Sequence, residues 1–329
     1  MTASKIEWTD RSDWNPVRGC TRVSPGCGGP GPHGGCYAEV IAARFSDPKQ
    51  AFHGFAERTP AGGRWTGKVE LMHDRLLLPL SWRKPSVIFA NSTSDFFHEK
   101  LDLLDVAQIF GVAVAAHHLR GHVTQILTKR PERMRELLTN PEFWEIVNAG
   151  AGAHIMERVD PLNRRSDDAR ATCDDYDAEN PPPGVWLGVS VEDQVRADER
   201  REAFRAVPAR VKFVSYEPAL GPVRWDGWEF VQQIISGGES GRRARPSHPD
   251  WHRAARDFCA RNDIAYLFKQ WGEWAPTHGR GDQPTHWFSE FASLYPIGDP
   301  AATGAGVKHY GKKAAGRLLD GVQHDGVPA

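Results

Sequence analysis

Short apolar runs alternate with amphipathic stretches along most of this chain. Ser86–Asn91 (SVIFAN) reads as a buried strand. Asp102 then stands at the start of a helix in which Leu103, Val106, Ala107, Phe110, Ala113 and Val114 share one face. Val123–Leu127 is the next strand, and Pro131 opens a helix carrying Met134, Leu137 and Leu138 that is interrupted at Asn140-Pro141. Val185–Val189, Val211–Val214 and Gln233–Ile235 follow as strands, with a charged helix near Asp193–Val207 between the first two. A helix around Asp250–Arg261 leads into the last strand, Ile264–Phe268. Strand–helix alternation of this kind predicts an α/β fold with parallel pairing and right-handed crossovers. Six or seven units favour a partial or complete parallel barrel in a single main domain. A two-sided open sheet is the other arrangement the pattern allows.

Almost every predicted strand runs straight into polar residues. The successive ends give Asn91, Ser92, Ser94 and Asp95; Thr128, Lys129 and Arg130; Ser190 and Glu192; Ser215 and Glu217. The last two give Gly237, Gly238 and Glu239, then Lys269, Gln270 and Trp271. In a parallel barrel these ends share one rim, where active sites are built. Any strand must leave the core through polar residues, and Ser or Asp at a strand–helix joint caps by default. The expectation of a site therefore rests on the ends taken together.

Composition narrows the class. The 329 residues carry 41 Lys and Arg against 42 Asp and Glu, a formal net charge of −1. That balance argues against the broad electrostatic grip of a strongly basic nucleic-acid protein, while leaving room for a local basic groove. No apolar run approaches the ~18–20 residues that span a bilayer, and Met1–Asp10 lacks the apolar core of a secretory signal. No membrane partner and a cytoplasmic address are expected. The organisation reads as one barrel half over 1–150, with a cysteine loop at about 19–37. An acidic disordered insertion follows over 151–183, then a second half over 184–275 and a C-terminal extension over 276–329 with a basic Gly-Lys-Lys segment. Within the insertion, Glu157–Pro183 holds eight acidic against four basic side chains and ends in three prolines. The tail after Asp320 is expected to fray.

Candidate chemistry enters with the cysteines. Of five, Cys20, Cys27 and Cys36 fall in one glycine- and proline-rich loop, while Cys173 and Cys259 stand apart. In a reducing compartment a cluster of this kind points to metal or redox chemistry. Glycine and proline let the chain wrap tightly around a small object with backbone N–H groups facing its sulfurs. Structural zinc needs four closed ligands, and His33 is the candidate fourth. Three thiolates without a fourth suit an iron–sulfur cluster with one iron left open. A cluster is favoured over zinc, and zinc over three unliganded thiols.

Several blocks of the sequence resemble a phage-associated three-cysteine family. They include Ile6-Glu7-Trp8-Thr9-Asp10, Trp14-Asn15-Pro16-Val17, Gly19-Cys20-Thr21, Val23-Ser24-Pro25-Gly26-Cys27 and Cys36-Tyr37-Ala38-Glu39. Leu127–Met134 (LTKRPERM), Trp186–Glu192 (WLGVSVE), Gly237–Gly241 (GGESG), Phe268–Gly272 (FKQWG) and Gly311–Arg317 (GKKAAGR) belong to the same likeness. That family looks like a divergent radical S-adenosylmethionine (SAM) group, similar to spore photoproduct lyase-like proteins. The chain departs from it in spacing. The second cysteine gap is eight residues here, where the family has two, because of Gly28–Gly35.

The resemblance implies that Cys20, Cys27 and Cys36 bind three irons of a 4Fe–4S cluster and that SAM chelates the fourth. One-electron cleavage of SAM would yield a 5′-deoxyadenosyl radical that removes a substrate hydrogen. A flavodoxin- or ferredoxin-like electron donor and a nucleic-acid or nucleotide substrate come with the same likeness. Asn91, Ser92, Ser94 and Asp95 are candidates for the SAM amine and ribose. Thr128 and Lys129 would meet its carboxylate or a substrate phosphate. Ser190, Glu192 and Glu217 would meet ribose hydroxyls or substrate, and Glu192, Glu217, Glu239 and Lys269 are the catalytic candidates. Trp271 and Trp274 would either clamp a nucleobase or plug the barrel. Arg242, Arg243, Arg245, Lys308, Lys312, Lys313 and Arg317 would form either a phosphate surface or scattered solvated charge. Two rival functions remain. One is a zinc- or cluster-bearing nucleic-acid-binding protein without catalysis. The other is a barrel enzyme with a purely structural cluster.

Overall fold

In the computed structural model, which describes residues 6–28, 36–60, 62–158, 176–241, 243–278, 280–288 and 305–328, the six predicted apolar runs become neighbouring parallel strands. The chain enters through β1 (Val17–Arg18), α1 (Tyr37–Arg44), the antiparallel hairpin β2 (Ala56–Thr59) and β3 (Gly62–Trp65), β4 (Glu70–Leu71), which pairs with β1, and α2 (His73–Leu76). The main sheet then alternates strand and helix over β5 (Val87–Ala90), α3 (Leu103–Arg120), β6 (Val123–Thr128), α4 (Pro131–Leu138) and α5 (Pro141–Arg158). It continues through β7 (Val185–Ser190), α6 (Gln194–Arg205), β8 (Val211–Tyr216), β9 (Gln233–Gly237), α7 (Pro249–Arg261) and β10 (Ala265–Gln270). A small antiparallel sheet of β11 (Trp274–Pro276), β12 (His286–Trp287) and β13 (Gly306–His309) follows, with α8 (Lys312–Ala315) after it.

Strands β5 to β10 lie in chain order, all parallel, and curl into a half-barrel. Side chains alternate between its two faces, as a strand period of two requires. Ile88, Ala90, Ile126, Leu187, Val189, Val214, Ile234 and Phe268 join the large core beneath the helices. Phe89, Leu127, Trp186, Phe213, Ile235 and Leu267 pack together on the concave face, around Trp8. Gly188 fits that face because a Cβ there would lie 2.3 Å from the Phe213 ring.

Both open edges of the sheet are covered by chain ends, which removes the templates for edge-to-edge pairing. The segment before β1 runs along β5. Asp10 and Arg11 donate their N–H groups to the Val87 carbonyl, and Phe89 N–H reaches the Arg11 carbonyl at 2.8 Å. At the other edge the tail does not fray. Phe268 N–H bonds the His324 carbonyl at 3.1 Å and Gly326 N–H bonds the Tyr266 carbonyl at 2.9 Å. The tail gains these ladder bonds because an unpaired β10 would leave its own donors and acceptors open.

Two further expectations change. Helix α3 is capped as predicted, Asp102 accepting from Asp105 N–H at 2.8 Å, but its buried residues run almost all round the helix. Helix α5 packs against a further face of α3. The helices approach so closely that a Cβ on Gly111 would lie 3.2 Å from the Val147 carbonyl oxygen. Residues 151–158, assigned to the acidic insertion, are the last turns of α5, and Tyr176 packs against the core again. The rest of the predicted insertion up to 175, with Cys173, lies outside the described residues. Cys259 is a core residue of α7. No helix among the described residues is long and apolar enough to cross a membrane.

Candidate functional site

A cavity of about 450 Å³ opens at the C-terminal rim of the half-barrel. Its wall contains Cys20, Cys27 and Cys36 together with Asn91, Ser92, Ser94, Asp95, Thr128, Lys129, Ser190, Glu217, Glu239 and Lys269. Of the predicted site residues, Glu192 is the one that does not reach the wall.

Three of the strand-end carboxylates hold the cysteine loop in place. Asp95, after β5, accepts from Thr128 Oγ1 at 2.7 Å, Phe97 N–H at 3.0 Å and Arg130 Nη1 at 2.9 Å. Arg130 then carries the tie to the loop by donating to Thr21 Oγ1, at 2.8 Å, beside Cys20. Glu192, after β7, is fully buried. It accepts from Arg200 at 2.8 Å and from the Ser24 hydroxyl at 2.5 Å. Burial pushes the Glu192 carboxyl up, but Lys129 and Arg200 outweigh it and hold the group below the usual carboxylate range. Gly26 must be glycine here, since a Cβ would fall 2.4 Å from a Glu192 oxygen. Glu239, after β9, is gripped by Arg245, which also donates to the Pro25 carbonyl at 3.0 Å.

The loop has a fourth tie within itself. Arg22 donates to both oxygens of the buried Glu39 and to the Gly28 carbonyl at 2.9 Å. The run Cys36-Tyr37-Ala38-Glu39 thus brings a thiol to the N-terminus of α1 and sends its carboxylate back to close the loop. Asp95, Glu192 and Glu239 were expected to meet cofactor or substrate. In the structure their oxygens are engaged by arginines, and Asp95 and Glu239 also line the cavity.

Glu217, also on the cavity wall, is held by a lysine and an amide rather than by an arginine. Lys269 Nζ donates to its Oε2 at 2.8 Å and Gln270 Nε2 to its Oε1 at 3.1 Å, while Ser240 accepts from the same amide at 2.8 Å. Adjacent strand residues normally face opposite ways. Here the register of β10 shifts between Phe268 and Gln270, and both Lys269 and Gln270 line the cavity. Asn91 adopts a left-handed φ of 56° and donates to the Leu127 carbonyl at 2.8 Å, joining the ends of β5 and β6. Ser92 bonds Asn15, and Tyr37 donates to the Ser92 carbonyl. Ser94 Oγ is buried with no partner among the described residues.

The three loop thiols form no disulfide. Burial pushes Cys20 up to about 12, with further upward contributions from Asp95, Cys36 and Cys27 and an opposing one from Arg130. Burial and the neighbouring Cys27 push Cys36 up to about 11, against the pull of the Glu39 and Ala38 amides. Burial therefore favours the protonated form of Cys20 and Cys36 at neutral pH.

A protein-family model described as "Protein of unknown function (DUF5131)" matches residues 3–328. The chain belongs to the DUF5131 family. No curated protein and no solved structure matches it at a significant level.

Among the described residues of this DUF5131 chain, no three His, Cys, Asp or Glu side chains converge as the ligands of one ion. A cubane cluster makes a different demand, because each thiolate meets a separate iron. Three electrostatically coupled thiols around one cavity fit that demand, and a cationic centre among them would lower their proton affinity. His33, the candidate fourth zinc ligand, lies outside the described residues.

The remaining sequence expectations divide. Trp271 is a plug: it is 3% exposed, donates Nε1–H to the Leu318 carbonyl and packs edge-on against Phe268 and His252. Trp274 donates to the Ala244 carbonyl. Gly238 serves close approach to protein backbone, as a Cβ there would lie 2.1 Å from the Trp271 carbonyl oxygen. Of the predicted basic surface, Arg245, Lys308 and Arg317 are paired with Glu239, Asp282 and Asp325, and Lys312 reaches the cavity wall. Arg242 lies outside the described residues. The sequence reading gave no role to Arg22, Arg130 or Trp8. Trp8 and Arg130 stand inside the quoted blocks, and Arg22 falls between two of them, two positions after Cys20.

Proposed function

We propose that this chain is a radical SAM-type enzyme in which Cys20, Cys27 and Cys36 hold a 4Fe–4S cluster. One observation carries the reading: three free thiols and the C-terminal ends of six parallel strands face a single cavity. The bound cluster and SAM would supply one-electron cleavage of a carbon–sulfur bond and abstraction of a substrate hydrogen.

The chain's own residues would supply position and exclusion of water. Arg22, Arg130 and Arg245 fix the cysteine loop against the rim through Glu39, Asp95 and Glu239. Ser94 offers an unpaired hydroxyl for a polar group of the cofactor. Glu217, held by Lys269 and Gln270, presents a fixed carboxylate to ribose hydroxyls or to an amine. Ile6, Trp8, Phe89 and Leu127 close the bottom of the cavity with apolar surface. A reducing cytoplasmic compartment and a flavodoxin- or ferredoxin-like donor complete the proposal.

The test is anaerobic purification with iron and sulfide analysis, followed by dithionite and SAM. About four irons and release of 5′-deoxyadenosine, both lost in Cys36→Ala, support the reading. Zinc in place of iron overturns it in favour of a binding module. A second reading is favoured by the Glu217–Lys269 pair, 2.8 Å apart on the cavity wall. In it these residues act as base and acid while the cluster is structural. Activity that survives removal of SAM with a bell-shaped pH profile would select it.

A further inference from the structure

Two ammonium groups on the cavity wall have no carboxylate to themselves. Lys129 comes within 3.5 Å of Glu192, but Arg200 already holds that carboxylate at 2.8 Å and the Ser24 hydroxyl donates to it as well. Lys312 has an exposed side chain and also lines the cavity, and among the described residues it enters no ion pair. The arginines of the rim differ, since Arg130 and Arg245 are committed to Asp95 and Glu239. The uncommitted charge of the wall is therefore positive. A lysine ammonium is a compact point charge suited to phosphate.

The bottom of the same cavity has the opposite character. Ile6, Trp8, Phe89 and Leu127 line it without a charge, and the Trp8 and Phe89 rings lie 4.6 Å apart between centroids. Trp8 Nε1–H is buried and finds no acceptor among the described residues. Gln270, 4% exposed, has its amide nitrogen fixed by Glu217 and Ser240 while its Oε1 finds no donor. Buried polar atoms in native proteins are normally satisfied, so these two are suited to a polar group of a ligand. SAM does not account for the two lysines, because its sulfonium and ammonium outnumber its one carboxylate and leave it cationic.

We propose that the substrate of this cavity joins a phosphate to a planar unsaturated ring, with the phosphate on Lys129 and Lys312 and the ring on the Trp8–Phe89 floor. The inference rests on the reading of the cavity as a substrate site, but binding needs neither SAM cleavage nor a reductant.

Equilibrium dialysis of the purified full chain under anaerobic conditions tests it. The probes are the four ribonucleoside 5′-monophosphates, the matching nucleosides and inorganic phosphate. At least one monophosphate is expected to bind about tenfold or more tighter than both its nucleoside and free phosphate. Lys129→Gln and Lys312→Gln, each confirmed as folded by circular dichroism, are expected to weaken the monophosphate about tenfold and leave the nucleoside unchanged. Added salt should weaken the monophosphate and leave the uncharged nucleoside unchanged. The proposal is overturned if no monophosphate binds, if the nucleoside or free phosphate binds as tightly, or if both lysine variants are indifferent. Iron content and SAM cleavage are scored on the same preparation. Phosphate-dependent binding without SAM cleavage sinks the radical reading alone, and SAM cleavage without phosphate preference sinks this inference alone.

Discussion

Arg245 holds both oxygens of Glu239 and, through the same Nη2, the carbonyl of Pro25, 220 positions earlier in the chain. A strand end of the second barrel half is thereby fastened to the cysteine loop of the first. The pair is geometrically fixed by a fork meeting a carboxylate, which a lysine in the same place would not reproduce.

Glu239→Gln should therefore loosen the loop more than it damages the core. Glu239 is nearly buried and Arg245 about a quarter exposed, so the loss is expected at roughly 1–3 kcal/mol rather than the larger figure for a fully buried pair. Urea unfolding gives that number. Maleimide labelling under native conditions gives the local effect: Cys27 should label faster than in the parent while Cys259, inside α7, should not. Equal acceleration at both cysteines would mean that the whole fold, not the loop, had opened.

A different expectation concerns acid. His252 is fully buried between β9, β10 and α7, its ring bonded to the Ser236 and Ser247 hydroxyls. Burial, with His248 and Arg253 adding to it, pushes the imidazole down to about 3 from its ordinary 6.5. Between those two values the unfolded chain binds a proton that the native chain refuses. Stability therefore falls as pH drops through that window, by up to about 1.4 kcal/mol per pH unit. His252→Gln should flatten the dependence of unfolding free energy between pH 6 and 4, whatever it costs at neutral pH. An unchanged slope would show that the imidazole is not what titrates.

The half-barrel was legible because its signals are local. SVIFAN, VTQIL and the runs after them carry the strand period, and Asp102 and Asp193 mark the helix starts they cap. The rim was legible too, as polar residues at successive strand ends. Which rim carboxylates brace the cysteine loop was not, because the far ends of their ties, Thr21, Ser24 and Pro25, lie 109 to 220 positions away along the chain. Asp95 meets Arg130, Glu192 meets Arg200, and Glu239 meets Arg245 across the mouth of the cysteine loop. The docked tail was hidden for a related reason. His324 and Gly326 pair through backbone atoms, which leave no side-chain pattern to read. Trp8 gave no period to follow, since it is a single wedge in the concave face.

Gly238 offers a test of the crowding behind Glu239. A methyl group there would sit 2.1 Å from the Trp271 carbonyl oxygen, inside any tolerable contact, and both partners are backbone. Gly238→Ala must shift either the β9 end or the Trp271 turn. A loss in the upper part of the usual 0.5–3 kcal/mol range is expected, with Tm falling accordingly. Gly241→Ala, where a Cβ would meet nothing within 4 Å, is the control for altering the same turn. Its φ of 112° disfavours alanine on backbone grounds, so the comparison isolates contact from conformation. A Gly238→Ala protein as stable as the parent would contradict the close approach.

Glu192 and Glu217 were equal candidates by position, and their surroundings now separate them. Glu192 has no exposed surface, sits between Arg200 and Lys129, and accepts from Ser24. Glu192→Ala leaves Arg200 buried without its partner and is expected to cost about 3–5 kcal/mol. Glu217 is partly open to the cavity, and its partner Lys269 is similarly open and can be rehydrated. Glu217→Gln should therefore cost less than Glu192→Ala, on the order of 1–3 kcal/mol. Its effect belongs to the ligand: the amide cannot reproduce a carboxylate that accepts from Lys269 and Gln270 together. Paired chemical denaturation and ligand-binding measurements on the two variants decide the matter. If Glu217→Gln unfolds the chain and leaves binding intact, that carboxylate is a strut like the other three. The cavity would then present no uncommitted acid to a ligand.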